Sequence, residues 1–180
     1  MRTVRATAAV AVASALLLAA CGAQEPPRTG SGTATAGPAS EAAQPAAAAL
    51  GFTARTLDGQ AFAGETLKGK PVVLWFWAPW CPKCRAEAPH VKAAAAAHRD
   101  VTFVGVASLD DEGAMKEFVQ QTGTGGITHL SDAEGEVWAR FGIASQSTFL
   151  FVRPDGSTTK ATGPLDGEEL TAQVGKLRQG

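Results

Sequence analysis

A chain of 180 residues, 45% of them hydrophobic, with 16 basic against 17 acidic side chains and a net charge of −1, has room for one ordinary domain plus appendages. So even a balance offers no basic footprint for a nucleic-acid partner. Three cysteines are too few for a scaffold held together by disulfides.

The N-terminus, "MRTVRATAAVAVASALLLAACG", has a short basic start in Arg2 and Arg5, about fifteen mostly apolar residues from Ala6, and small residues before Cys21. That is the profile of a secretory signal, too short and wrongly flanked for a transmembrane helix. "LAAC", Leu18 to Cys21, resembles a bacterial lipobox, which implies removal of residues 1–20 and lipidation of the Cys21 thiol. The rival reading is a cleaved export signal with a stray cysteine. Two or more acyl chains suffice for stable anchoring. Residues 21–50 are nearly all Ala, Pro, Gly, Ser and Thr without an aromatic residue. They read as a flexible tether, because such composition buries too little apolar surface to fold. Without Arg2 and Arg5 the basic count falls to 14 against 17 acidic, a net charge of about −3.

Residues 51–180 alternate strand-like and helix-like segments. "FTARTL" is a short strand ending at the turn Asp58-Gly59, and a polar, Gly-containing connection follows. "VVLWFWA", Val72 to Ala78, is a continuous apolar run that suits a central strand covered on both faces. "RAEAPHVKAAAAAHRD" is Ala-rich and helical, with Pro89 expected to kink it. "VTFVGVAS" is a second buried strand. "DDEGAMKEFVQQTG" is a helix with acidic residues at its start and Gly123 at its end. "ITHLSDAEGEVWARFGI" predicts a short strand and a short helix, and "STFLFVRPDGSTTKATG" a hairpin turning at Pro154-Asp155-Gly156. "LDGEELTAQVGKLRQ" closes the chain as a helix, with Asp166 and Glu169 in capping-box spacing. This order predicts an α/β fold, a central mixed sheet with helices on both faces.

The chemistry sits in "FWAPWCPKC", where Cys81 and Cys84 lie three positions apart as the central strand hands over to a helix. In open α/β sheets that carboxyl end is where sites collect. Thiol–disulfide exchange needs an attacking thiolate and a nearby resolving thiol. At a helix N-terminus Cys81 would lie beside unpaired amides that stabilise its thiolate. Cys84, one turn along on the same face, would be the more buried partner. Lys83 and Arg85 add positive charge that favours the thiolate and oxidising behaviour. The alternatives are an inert structural disulfide and a metal site. Tetrahedral zinc would need further ligands from His90, His98 or His129, which read better as polar surface residues. Trp75, Phe76 and Trp77 read as sheet core, whereas Trp80 would flank the exposed sulfur.

The motif resembles the thioredoxin superfamily, and the likeness covers most of Phe52 to Gln179. "CRAEAP", "VGVASLDDEGAMKEFVQQTG", "SDAEGEVWARFGI" and "FLFVRPDGS" follow the order of its TlpA/ResA-like and DsbE-like members. The resemblance implies an extracytoplasmic, membrane-anchored thiol–disulfide oxidoreductase with Cys81 as nucleophile and Cys84 as resolving cysteine. Trp80, Pro82, Lys83, Glu87, Ser147 and Thr148 are its supporting residues, and no cofactor or metal is implied. Its partners would be protein thiols or disulfides outside the membrane and a membrane redox partner that recharges the dithiol.

Glu87 is similar to the family's proton acceptor or pKa modulator, its alternative being an ordinary solvated helix charge. Trp75 stands where thioredoxins carry a buried Asp, so that relay is expected to be absent. In "GIASQSTFLF" Ser147 stands before Thr148 where the family has a cis-proline. A cis bond without proline costs about 2.5–4 kcal/mol, so Gln146–Ser147 is expected to be trans or strained. A hydroxyl there could open both sulfurs to a metal, bond the Cys81 thiolate, or simply be tolerated. Lys83, Arg85 and the missing Asp favour an oxidant of secreted proteins. The resemblance, as in cytochrome c maturation, favours a reductant, and a redox-silent or metal-holding binding module is the remaining alternative.

Overall fold

A computed structural model of the chain describes residues 46–178. The expected signal, Cys21 and most of the tether lie outside the described residues.

Strand β3 (Val72–Trp77) is buried along its whole length. Its alternate side chains leave on opposite faces, as the period of a strand requires. Val73, Trp75 and Trp77 enter one apolar layer and Val72, Leu74 and Phe76 the other. That is why the run reads as unbroken hydrophobicity. Beside β3 lie β4 (Thr102–Ala107), parallel, and β6 (Thr148–Val152), antiparallel. Outward from β4 come β5 (Thr128–Ser131), parallel, then β1 (Thr53–Thr56) and β2 (Ala61–Ala63), antiparallel. β7 (Thr158–Thr162) closes the other edge as the expected hairpin partner of β6. The sheet is seven-stranded and mixed, in the order β2-β1-β5-β4-β3-β6-β7.

Helices α2 (Pro82–Ala97), α3 (Glu112–Thr122) and α5 (Gly167–Lys176) cover the face of Trp75 and Trp77 through Cys84, Val91, Met115, Phe118, Leu170 and Val174. The short α4 (Glu136–Arg140) covers the other with Val137 and Trp138. Gly123 ends α3 at φ +64°, where a residue without Cβ closes a helix at least cost. The Asp166 carboxylate accepts from Glu169 N (2.8 Å) while Glu169 accepts from Asp166 N (3.1 Å), completing the capping box of α5. Pro89 lies inside α2 without ending it.

Three features depart from expectation. The polar connection after Gly59 contains β2, which returns against β1; three residues are too few to show an alternating pattern. Ala46–Ala49 form a single helical turn, α1, and Leu50 is buried, so packed chain begins before residue 51. His129, expected on the surface, is buried against Trp75 and Trp77 with ring centroids 6.4 and 5.5 Å away. Its Nε2 bonds the carbonyl of Thr124 (3.1 Å). Gly105 faces it across the β4–β5 pairing, and a Cβ there would overlap the imidazole.

Burial lowers the His129 pKa to about 4. The unfolded chain therefore binds a proton near pH 6.5 that the folded chain refuses. His129 is expected to stabilise the fold fully above about pH 6.5, the contribution falling away towards pH 4 by about 3 kcal/mol. Urea unfolding of wild type and His129→Gln at several pH values checks it, through a stability difference that shrinks on acidification.

Candidate active site

After Trp77 the chain leaves β3 through Ala78, Pro79 and Trp80 and enters α2 at Cys81. Cys81 is the N-cap residue of α2, in extended backbone at φ −80°, with Pro82 at the start of the first turn. A proline fits there because that amide lacks an intrahelical partner in any case. Cys81 and Cys84 form a disulfide, their Cα atoms 5.3 Å apart. The Cys84 amide donates to Cys81 Sγ (3.1 Å), and no acidic residue occupies the first turn of α2. Cys84 is fully buried and Cys81 is 4% exposed, so the sulfur expected to be exposed is only the less buried of the two.

Trp80 stands beside the pair, 55% exposed. Its indole donates to the carbonyl of Leu109 (3.1 Å) on the β4–α3 connection, and Leu109 is exposed too. Together they form an apolar shelf at the disulfide. Lys83 is exposed. Arg85 instead turns towards α3: it donates to Gln121 Oε1 (2.8 Å) and its guanidinium carbon lies 5.2 Å from the Phe118 ring centroid. That ring is itself stacked on Trp77 at 4.2 Å.

Glu87 lies one turn after Cys84 on α2 and is 1% exposed, which removes the reading as a solvated helix charge. Its Oε1 accepts from Leu165 N (2.7 Å). Its Oε2 accepts the Ser147 hydroxyl. Ser147 Oγ in turn accepts from the Trp75 indole (3.1 Å). Burial pushes the Glu87 carboxyl above its ordinary range, and the donors, Ser147 first, pull it back.

Trp75 therefore does more than fill the core: it anchors this network at the position expected to have lost its polar role. Ser147 is fully buried, and its hydroxyl proton goes to Glu87 rather than to the Cys81 sulfur. The Gln146–Ser147 bond, expected to be trans or strained, is cis. Thr148 opens β6 opposite Phe76 and donates to the carbonyl of Ser145 (2.8 Å).

Three participants escaped sequence reasoning: the amide of Leu165, the carbonyl of Leu109 and the indole of Trp75. Only the glycine at 163 hints at the first, since a Cβ there would overlap Glu87 Oε1. Among the described residues no group of three or more His, Cys, Asp and Glu side chains lies placed to hold a metal ion.

Residues 45–162 match the AhpC/TSA family. The chain is 47% identical over 131 residues to the soluble secreted antigen MPT53 of Mycobacterium tuberculosis, covering 71% of this chain and 75% of the antigen. It is 28% identical over 114 residues to the thiol:disulfide interchange protein DsbE of Pseudomonas aeruginosa, covering 63% of this chain and 62% of that protein. Among solved structures, the mixed oxidised and reduced forms of M. tuberculosis dsbF align with a TM-score of 0.71 at 52% identity, over 72% of this chain and 97% of that one. A secreted M. tuberculosis disulfide oxidoreductase, described as homologous to Escherichia coli DsbE, aligns at 0.69 and 46% identity over 72% and 98%. These relatives set aside the reading as a redox-silent binding module. With a thioredoxin-like sheet and relatives that exchange thiols and disulfides, the chain belongs to the AhpC/TSA family and is a thiol–disulfide oxidoreductase.

Proposed function

We propose that the enzyme works outside the cytoplasmic membrane as an oxidant of protein thiols, with Cys81 as the attacked and attacking sulfur and Cys84 as its resolving partner. The observation that carries this reading is the position of Cys81. Its sulfur caps a 16-residue helix, accepts the Cys84 amide and meets no acid in the first turn. The positive helix end stabilises the Cys81 thiolate. Whatever stabilises the reduced dithiol makes the disulfide a stronger oxidant. Lys83 adds charge of the same sign.

In the forward direction a substrate thiolate attacks Cys81 Sγ, the Cys81–Cys84 bond breaks, and Cys84 leaves as a thiolate that takes up a proton. A second substrate thiolate attacks the substrate sulfur of the mixed disulfide, and Cys81 leaves as a thiolate. The substrate loses two electrons and the cysteine pair gains them, so no further cofactor is required. Glu87 gives and takes the Cys84 proton. The Trp80–Leu109 shelf and the Ser147–Thr148 loop bound the place where the substrate chain lies.

A signal at residues 1–20, lipid on Cys21 and a tether over the residues before Ala46 would hold the domain at the outer face of the cytoplasmic membrane. A membrane redox partner would reoxidise it there. The name of its relative as a secreted antigen supports export. Mixing the oxidised full chain with a reduced dithiol peptide tests the reading. Oxidised peptide should accumulate beyond one equivalent when oxidised glutathione recharges the enzyme. Peptide that stays reduced would oppose it.

A further inference from the structure

We propose that Ser147 is a positioning residue of the exchange reaction, its hydroxyl held between the Trp75 indole and the Glu87 carboxylate so that this carboxylate is fixed one turn from Cys84, whose proton it takes. This rests on the reading of Cys81 and Cys84 above.

The direction of the network follows from what each group can do. An indole N–H only donates, so Ser147 Oγ is an acceptor towards Trp75. Its single proton is left for Glu87 Oε2. The other carboxylate oxygen receives the Leu165 amide. Both oxygens of Glu87 therefore face donors, an arrangement that favours the ionised form and counters part of the burial that keeps the carboxyl above its ordinary range.

The need for such a group lies one turn away. Cys84 and Glu87 are separated by three residues on one helix face and are both buried. When Cys84 attacks a mixed disulfide on Cys81 its proton needs an acceptor away from bulk water. Glu87 is a buried carboxylate on the same face that can serve. The other titratable groups around it are Cys81 and Cys84 themselves and His90 on α2, whose charge also favours the carboxylate. The β3 and β6 sides contribute Trp75 and Ser147, which are uncharged. On the turn before α5, the Asp166 carboxylate is engaged with Glu169 N.

The three side chains form a matched set. A proline at position 147 would remove the hydroxyl that joins the Trp75 N–H to Glu87 Oε2, and with it one donor to the carboxylate.

The test follows the closing step. Reduced full-length protein is mixed with oxidised glutathione. Cys81 displaces one glutathione thiolate to form the mixed disulfide, and Cys84 then displaces the second while losing its proton. The rate of that second phase is measured against pH. In wild type it should rise through the titration of Glu87. Ser147→Ala removes a charge-assisted donor and should move the midpoint upward by about one pH unit. Ser147→Thr should restore it.

Glu87→Gln should abolish the titration, and adding Ser147→Ala to it should change nothing further. Trp75→Phe removes the indole donor, so it should shift the midpoint in the same direction and serves if Ser147→Ala does not fold. An unmoved midpoint in Ser147→Ala, or a Ser147→Ala effect of the same size with Gln at 87, would overturn the positioning role while leaving exchange at the cysteines intact. Absence of Cys81-dependent exchange in wild type at every pH would overturn both.

Discussion

Replacing Cys81 with serine is expected to reduce exchange with a dithiol peptide by at least roughly a thousandfold, because a hydroxyl is scarcely ionised at neutral pH and forms no disulfide. Cys84→Ser should behave differently. Its Cys81 can still form a mixed disulfide, but nothing resolves it from within the protein. Peptide mass mapping after mixing with oxidised glutathione should show a stable glutathione adduct at Cys81 of Cys84→Ser and none at Cys84 of Cys81→Ser. The asymmetry follows from position: Cys81 caps α2 at the less buried edge, whereas Cys84 lies wholly inside the core. Equal adduct formation by both variants would contradict the assignment of nucleophile and partner.

The largest expected loss of stability comes from Phe118→Ala. Phe118 is buried, stacked on Trp77 at 4.2 Å and in contact range of Trp75 at 6.1 Å. It also supports the Arg85 guanidinium. Truncation removes the ring and leaves a cavity between α3 and the sheet, costing about 3–5 kcal/mol. Against a total of about 5–15 kcal/mol for a domain, that is a large part of the stability. The urea midpoint should fall by a corresponding amount with little change in slope. A midpoint close to wild type would mean that α3 is not held by this stack.

Much of this architecture was legible because its signals are local. β3 announces itself since both faces are buried, and the capping box of α5 joins residues three apart. The cysteine pair was equally plain, its spacing and the strand before it lying within one short segment. What escaped was carried by distance along the chain. Trp75 and Ser147 are 72 residues apart, Ser147 and Glu87 are 60, and Glu87 and Leu165 are 78. No periodicity reports such meetings, so Glu87 could still be read as a solvated charge and Trp75 as simple filling. His129 was misplaced for the same reason, since its burial depends on a missing Cβ at Gly105 across the β4–β5 register. The loop before Thr148 shows a further limit: the cost of a cis bond without proline left Gln146–Ser147 expected to be either trans or strained, and only the structure gives it as cis.

The reduction potential of the Cys81–Cys84 couple, measured on the full chain equilibrated against glutathione and dithiothreitol buffers, tests the account most directly. Stabilisation of the Cys81 thiolate at the end of α2 predicts a value near or above about −180 mV, that of an electron acceptor delivering disulfides to its substrates. A value near or below about −250 mV would contradict it and make the enzyme a reductant that depends on an electron donor.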